Sequence, residues 1–162
     1  MKRIIKDTAV KILKIFSERH KRRMLYLLIL AMLAGMDFLK NGLVRRTLMF
    51  YALNQGTEMV EDRFFPRSDS RETDICRYVE EVLLGPALPG AAPLFPREAR
   101  LESLLYREGR VYAGFSESAA LPPLEGGNVF NNLRVLRTGI LRNFPYVKEV
   151  KFFINGNEIE RR

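Results

Sequence analysis

Thirteen consecutive residues without a charge, Met24–Met36 (MLYLLILAMLAGM), stand directly behind Arg22 and Arg23. A run of this kind has to be covered by a core, an export apparatus or lipid. As a helix it spans about 20 Å, short of the roughly 30 Å hydrocarbon core of a bilayer. Continued through Asp37 and Lys40 to Val44 it reaches 21 residues and about 32 Å. Both charges then lie toward the far end, where side chains reach the interface. A cleaved signal wants small residues at −3 and −1, but cleavage after Ala34 or Gly35 places Met32 or Leu33 at −3. Met36 stands where a lipoprotein box has cysteine, so lipid attachment there is out. The sequence therefore predicts an uncleaved anchor over 24–44 behind a basic cytoplasmic tail over 1–23, with the remainder outside the cytoplasm. A cleaved signal and a buried soluble helix are the alternatives. Within the tail, Ile4, Ile5, Ile12, Leu13 and Phe16 form a loose apolar stripe among lysines. It suits either a lipid surface or a plain solvated tail.

The net charge of +8 first suggests nucleic acid. Its distribution argues against that. Residues 1–23 hold nine Lys or Arg against Asp7 and Glu18, while the other 139 residues hold 18 Lys or Arg against 17 Asp or Glu. A nearly neutral body offers no phosphate-tracking surface, and nucleic acid is not an expected partner. The single cysteine, Cys76, forms no internal disulfide and reads as a buried thiol on a helix.

Beyond a brief linker at Leu43–Arg46, strands are expected over Thr47–Leu53 and Glu58–Phe65, turned by Asn54-Gln55-Gly56. Ser68-Asp69-Ser70 offers caps for a helix that carries Ile75, Val79, Val82 and Leu83 on one face. Gly85-Pro86 stops it, with Gly85 at a left-handed C-cap. Leu101–Tyr106 and Val111–Phe115 flank a hairpin turn. Asn128–Asn143 has helical spacing, and a last strand through Val147, Val150, Phe152 and Ile154 ends at Asn155-Gly156. Strict alternation sets Val147 opposite to the other three, so that strand requires an inward shift or bulge. The order β-β-α-β-β-α-β predicts an α+β domain, one small mixed or antiparallel sheet with two helices on one face.

Chemistry is harder to find. His20, the only histidine, lies in the basic flank, which removes histidine-based nucleophile activation and metal sites from the domain. GFSES at Gly114–Ser118 resembles a nucleophile elbow without its closing glycine, and Ser116 reads as a local backbone partner. Neighbouring acids Glu61-Asp62 and Glu80-Glu81 point in different directions and read as solvated faces. LEGGN before the second helix reads as a helix-entry turn rather than an anion site. No catalytic residue, cofactor or metal ligand is assigned. Leu94 and Phe95 in the proline-rich loop 87–99 are either contact residues or a satellite core. Tyr112 and Phe95 would suit sugar rings if they border one groove. The closing stretch, Phe144–Glu160, would act only through an exposed strand edge.

Four stretches in order resemble the GerM-type (GerMN, sporulation and germination) domain over Thr47–Glu160. They are LMFYALNQGTEMVEDRFFP with Gly56 and Arg63, VEEVLLGP ending in Gly85-Pro86, GRVYAGFSES, and NFPYVKEVKFFINGNE. Gly114 departs from the family pattern, which usually has aspartate before Phe115-Ser116. The resemblance implies a fold like the ring-building modules of secretion and sporulation channels. It also implies an extracytoplasmic, membrane-anchored envelope protein without known catalytic activity, and supplies no catalytic residues. The expected function is a non-enzymatic binding or assembly module, with envelope proteins or further copies as partners. A binder of cell-wall glycan or a small ligand is the alternative.

Overall fold

The computed structural model describes residues 19–53, 57–123 and 128–159. The chain divides into two compact units, residues 1–42 and 43–162. The first is helix α1 (Arg19–Asn41). Leu27, Leu28, Ile29 and Leu30 are consecutive on it and each is 45–64% exposed. Consecutive helical residues point to every side, so this segment is apolar all round. Among the described residues, no helix is long and apolar enough to cross a membrane. The span expected over 24–44 is also cut short by geometry. α1 ends at Asn41, and Leu43 and Val44 open strand β1 (Leu43–Ala52), paired with Pro66 and Phe65. The same pairing makes a strand of the expected linker Leu43–Arg46. The apolar stripe of residues 1–16 lies outside the described residues.

In the second unit, β1 forms an antiparallel ribbon with β2 (Glu58–Pro66); the turn at 54–56 lies outside the described residues. Helix α2 (Arg71–Leu84) is capped by Ser70, whose Oγ accepts the Thr73 N–H at 3.0 Å. Glu72 and Asp74 in its first turn favour the helix dipole. It ends at Gly85, as expected, but with φ 89° and ψ 178° rather than the left-handed helical pair. That extended positive-φ region is open essentially to glycine alone.

A two-residue strand β3 (Ala91–Ala92) precedes β4 (Leu101–Arg107) and β5 (Arg110–Phe115). Glu108 (φ 51°) and Gly109 (φ 82°) join β4 to β5. Two positive φ angles are the signature of a type I′ hairpin, which favours Asn-Gly. Glu108→Asn is therefore expected to raise the unfolding free energy by about 0.5–1 kcal/mol, read as a higher denaturation midpoint.

A 3-10 turn at Glu117–Ala120 is followed by helix α3 (Val129–Asn143), then β6 (Glu149–Ile154) and β7 (Asn157–Glu158). Asn128 caps α3 by accepting the Phe130 N–H on Oδ1 at 2.9 Å.

Two sheets form where one was expected: β2-β1-β3, all antiparallel, and β4-β5-β6-β7, mixed. β5 and β6 run parallel, with α3 as the crossover. The sheets stay separate because the free edge of β1 is already occupied. Asn143 of α3 donates from Nδ2 to Thr47 O at 2.7 Å and accepts the Thr47 N–H on Oδ1 at 2.9 Å. A side-chain amide thus stands where a neighbouring strand would pair. Arg46 reinforces this corner by an ion pair with Asp74, a hydrogen bond to Asn143 O at 2.8 Å, and its guanidinium 4.4 Å from the Phe144 ring centre.

One core joins both sheets and both helices through Phe50, Tyr78, Phe115, Leu136, Phe144 and Phe152. In β6, Val150, Phe152 and Ile154 alternate inward without a bulge. Val147 is buried, but it lies in the turn before the strand, where its N–H donates to Phe144 O at 2.9 Å. The expected shift inside the strand is corrected accordingly. Asn155 (φ 49°) and Gly156 (φ 77°) then form the tight turn into β7.

Candidate functional site

The residues singled out for contact are not brought together. Leu94 and Phe95 are 0% and 2% exposed, so of the two readings weighed for them the structure shows the core one. Phe95 stacks on Phe115 at 5.7 Å, and Leu94 O accepts from Asn132 Nδ2 at 2.7 Å. Tyr112 lies on the opposite face of β5, in register with Leu105 and Lys151. Phe95 and Tyr112 therefore border no common groove, and the paired stacking surface expected for sugar rings does not form.

The candidate reactive groups are held in structural roles. Ser116 Oγ accepts the Arg100 N–H at 3.0 Å, so its backbone partner lies 16 positions away, immediately before β4, rather than locally as expected. Cys76 is half-buried and its thiol contacts Glu80 Oε1 at 3.7 Å. Burial and the Glu80 charge push its pKa up, away from the reactive thiolate. The acid pairs need correction. Glu61 is not solvated but 7% exposed, and Arg63 Nε bonds its Oε1 at 2.6 Å. Arg63 also reaches Glu81 Oε2 at 2.7 Å. The LEGGN turn lies outside the described residues except for Asn128, the α3 cap.

The surface that does form a site is a groove between α3 and the outer edge of β6 and β7. Phe130, Arg134, Arg137 and Leu141 fall at helical spacing along one stripe of α3. Phe130 and Leu141 remain 47% and 38% exposed at its two ends. Opposite them, consecutive residues Lys148–Lys151 line a trough of about 440 Å³. Beside it, a smaller hole of about 140 Å³ is walled by Phe130, Leu133, Arg134, Phe152 and Ile159. Arg137 lines both, its guanidinium 5.7 Å from the Phe152 ring centre.

The local charge is positive. Glu149 is paired with Arg110 at 3.2 Å and Glu158 with Lys151 at 2.8 Å. No described carboxylate lies within ion-pair distance of Arg137 or Lys148. The trough is also bounded by strand backbone. β5 pairs with β6 over Glu149–Ile154, whereas β7 pairs only with Phe153 and Ile154, and the Ile159 N–H reaches Phe152 O at 2.8 Å. Among the described residues, no strand pairs with β6 at Glu149–Lys151 on the side away from β5. The sequence had pointed to this edge without its basic wall. The available signal was the Phe130–Arg134–Arg137–Leu141 stripe, which mixes cations with exposed apolar ends.

Comparison with known proteins identifies the scaffold. The first GerMN domain of the sporulation protein GerM from Bacillus subtilis superposes with a TM-score of 0.56 at 19% identity, covering 72% of this chain and 86% of that one. The tandem GerMN domains of the same protein give 0.53 at 23% identity over 71% of this chain. The present chain spans 40% of that tandem structure. These likenesses show a shared α+β fold. No curated protein sequence matches the chain. Residues 47–160 match the Germane family, described as sporulation and spore germination. The chain belongs to that family.

Proposed function

We propose that this chain is a non-enzymatic binding and assembly module of the bacterial envelope, attached to membrane through α1, with residues 47–160 displayed outside the cytoplasm. The observation that carries the binding reading is the groove between α3 and the β6 edge. It is an open, partly apolar, cationic surface on a rigid scaffold, the kind of place where partners dock. Family membership links the module to sporulation or germination. Membrane attachment is supported by α1, whose uncharged run leaves Leu27, Leu28 and Leu30 more than half exposed behind Arg22 and Arg23. So short a run sits in lipid by thinning the bilayer locally and letting flanking charged side chains reach the interface.

Two measurements on the full-length chain test this reading. A reporter fused after Arg162 is expected to be active outside the cytoplasm; a cytoplasmic signal would end the placement. Leu28→Asp with Ile29→Asp is expected to move the protein from the membrane fraction to the soluble fraction, since each buried acid costs about 2.5–3.5 kcal/mol in a bilayer centre. Retention of the double variant in the membrane fraction would remove α1 as the attachment.

A further inference from the structure

We propose that β2 pairs antiparallel with β2 of a second copy of this chain, about a two-fold axis at Asp62, and so joins the two β2-β1-β3 sheets into one. This surface is separate from the groove between α3 and β6, and the pairing goes beyond the binding reading given above.

Two neighbouring edges are closed by side chains. Thr47 on β1 turns its N–H and C=O to Asn143. On β4, the Tyr106 N–H donates to Glu72 Oε2 at 2.9 Å. β2 has no such cover. It pairs with β1 over nine residues without a bulge and, among the described residues, no strand lies on its other side. Because Thr47 faces away from β2, its register partner Asp62 faces away from β1. So do Val60 and Phe64, two positions to either side. Among the described residues, no hydrogen bond reaches the outward backbone groups of these three. The edge ends at Pro66, whose carbonyl accepts from Arg77 Nη1 at 2.7 Å. A long edge without lysine, bulge or internal proline is a template for another strand.

The order of side chains along β2 selects the occupant. Val60 and Phe64 are 52% and 65% exposed. With the axis at Asp62, Val60 of one copy lies opposite Phe64 of the other, Met59 opposite Phe65, and Glu61 opposite Arg63. Symmetry makes each of these pairs twice. Apolar side chains meet on both faces of the sheet, and acid meets base. Glu61 and Arg63 also bond one another within each copy at 2.6 Å, so the two copies form one alternating network. An axis one residue earlier sets Glu61 on Glu61 and Val60 on Asp62. An axis one residue later sets Arg63 on Arg63 and Asp62 on Phe64. Neither a lipid nor a glycan supplies backbone groups to such an edge, whereas a second copy brings the complementary order by construction.

One pair opposes the association, Asp62 facing Asp62. Each carboxylate already meets its own Arg45 at 3.2 Å and its own Thr47 Oγ1 at 2.8 Å. The row therefore holds two cations with its two anions, and the like-charge contact weakens the pairing without breaking it.

The test uses the full-length chain carrying Cys76→Ser, oxidised in intact cells with a copper(II) phenanthroline complex. Directly opposed residues stand about 5.5 Å apart between Cα atoms, within disulfide reach. Asp62→Cys is expected to give a disulfide-linked dimer. Val60→Cys alone and Phe64→Cys alone are not, since each lies about 13 Å from the same residue of the second copy. Co-expression of those two variants should restore the link. Val60→Lys and Val60→Pro are each expected to lower the Asp62→Cys yield about tenfold. The Val60 N–H points away from β1, so the proline leaves the β1–β2 ladder whole. If Val60→Pro does not accumulate, Val60→Lys at the same half-exposed position decides. Asp62→Asn should tighten association of the labelled chain in detergent micelles about threefold, because the like-charge pair is gone. Absence of the Asp62→Cys dimer, equal yields at positions 60, 62 and 64, or indifference to Val60→Lys overturns the proposal. So does Asp62→Asn without tightening. An Asp62→Cys adduct with a different protein as the main product overturns it in favour of a partner's extended segment. None of these substitutions touches α3 or β6, so their failure leaves the groove as it stands.

Discussion

Arg63→Ala is expected to lower the unfolding free energy by about 3–5 kcal/mol, the range for stranding one member of a buried ion pair. Arg63 is the hub of the corner where β2 meets the end of α2. Its Nε holds Glu61 Oε1 at 2.6 Å, Nη1 holds Glu81 Oε2 at 2.7 Å, and Nη2 donates to Gly85 O at 2.7 Å. The last bond satisfies a carbonyl just beyond the end of α2, where no intrahelical donor remains. Glu61 Oε2 in turn accepts the N–H groups of Ala87 and Leu88 at 2.9 and 3.3 Å. Without Arg63, a carboxylate that is 7% exposed loses its only described cation. Glu61→Ala in the Arg63→Ala background is expected to recover part of the loss, because no buried charge is then stranded. Chemical denaturation of the four-member cycle measures this. A loss below about 1 kcal/mol for Arg63→Ala, the scale of a surface ion pair, would refute the hub.

Acid provides an independent reading of the same corner. Burial by itself pushes the Glu61 pKa up, but the Arg63 bond, the two amide N–H groups and the Arg63 charge together bring it below the ordinary value of 4.5. A carboxyl with a depressed folded pKa adds stability that is present above its unfolded value and lost as pH falls through the folded value. The wild-type chain is therefore expected to lose stability on acidification below about pH 4.5, near the unfolded glutamate value. Arg63→Ala should flatten this limb, since burial then dominates at Glu61.

How far the sequence disclosed this follows from the range of each interaction. Local signals were legible. The Ser70 cap, the Gly85 stop, the Asn155-Gly156 turn and the inward alternation of Val150, Phe152 and Ile154 depend on neighbours a few residues away. Residues whose partners lie far along the chain were misread. Glu61 looks like a solvated acid beside Asp62 until Ala87 and Leu88 arrive above it, 26 and 27 positions later. Asn143 looks like a helix-end residue, yet it closes the edge of β1 at Thr47, 96 positions away, and so divides one expected sheet into two. The hydrophobicity of Val147 suits a strand, although a turn buries it equally well. The groove was half legible. Its strand edge follows from the closing motif, but its basic wall needs α3 set against β6.

The contact that sets α3 against α2 reverses an expectation from helix propensity. Gly139 lies inside α3, where alanine is favoured over glycine by about 1 kcal/mol. Gly139→Ala is nevertheless expected to destabilise the domain by about 2 kcal/mol net, because overpacking a filled core costs about 1–3 kcal/mol and sometimes more. The added Cβ would fall inside van der Waals contact of Tyr78 Oη. Tyr78 is 1% exposed and cannot swing aside cheaply. Its hydroxyl donates to Thr47 O at 3.1 Å, and its ring meets Phe144 edge-on at 5.5 Å. Tyr78→Phe alone removes one hydrogen bond, a loss of about 1 kcal/mol, and Thr47 O keeps its bond from Asn143. In the Tyr78→Phe background the obstructing oxygen is gone, so Gly139→Ala should become neutral or stabilising. The double variant is then more stable than Gly139→Ala alone, with a coupling of about 2 kcal/mol between the sites, within the range for residues in contact. Additive losses would locate the strain away from Tyr78.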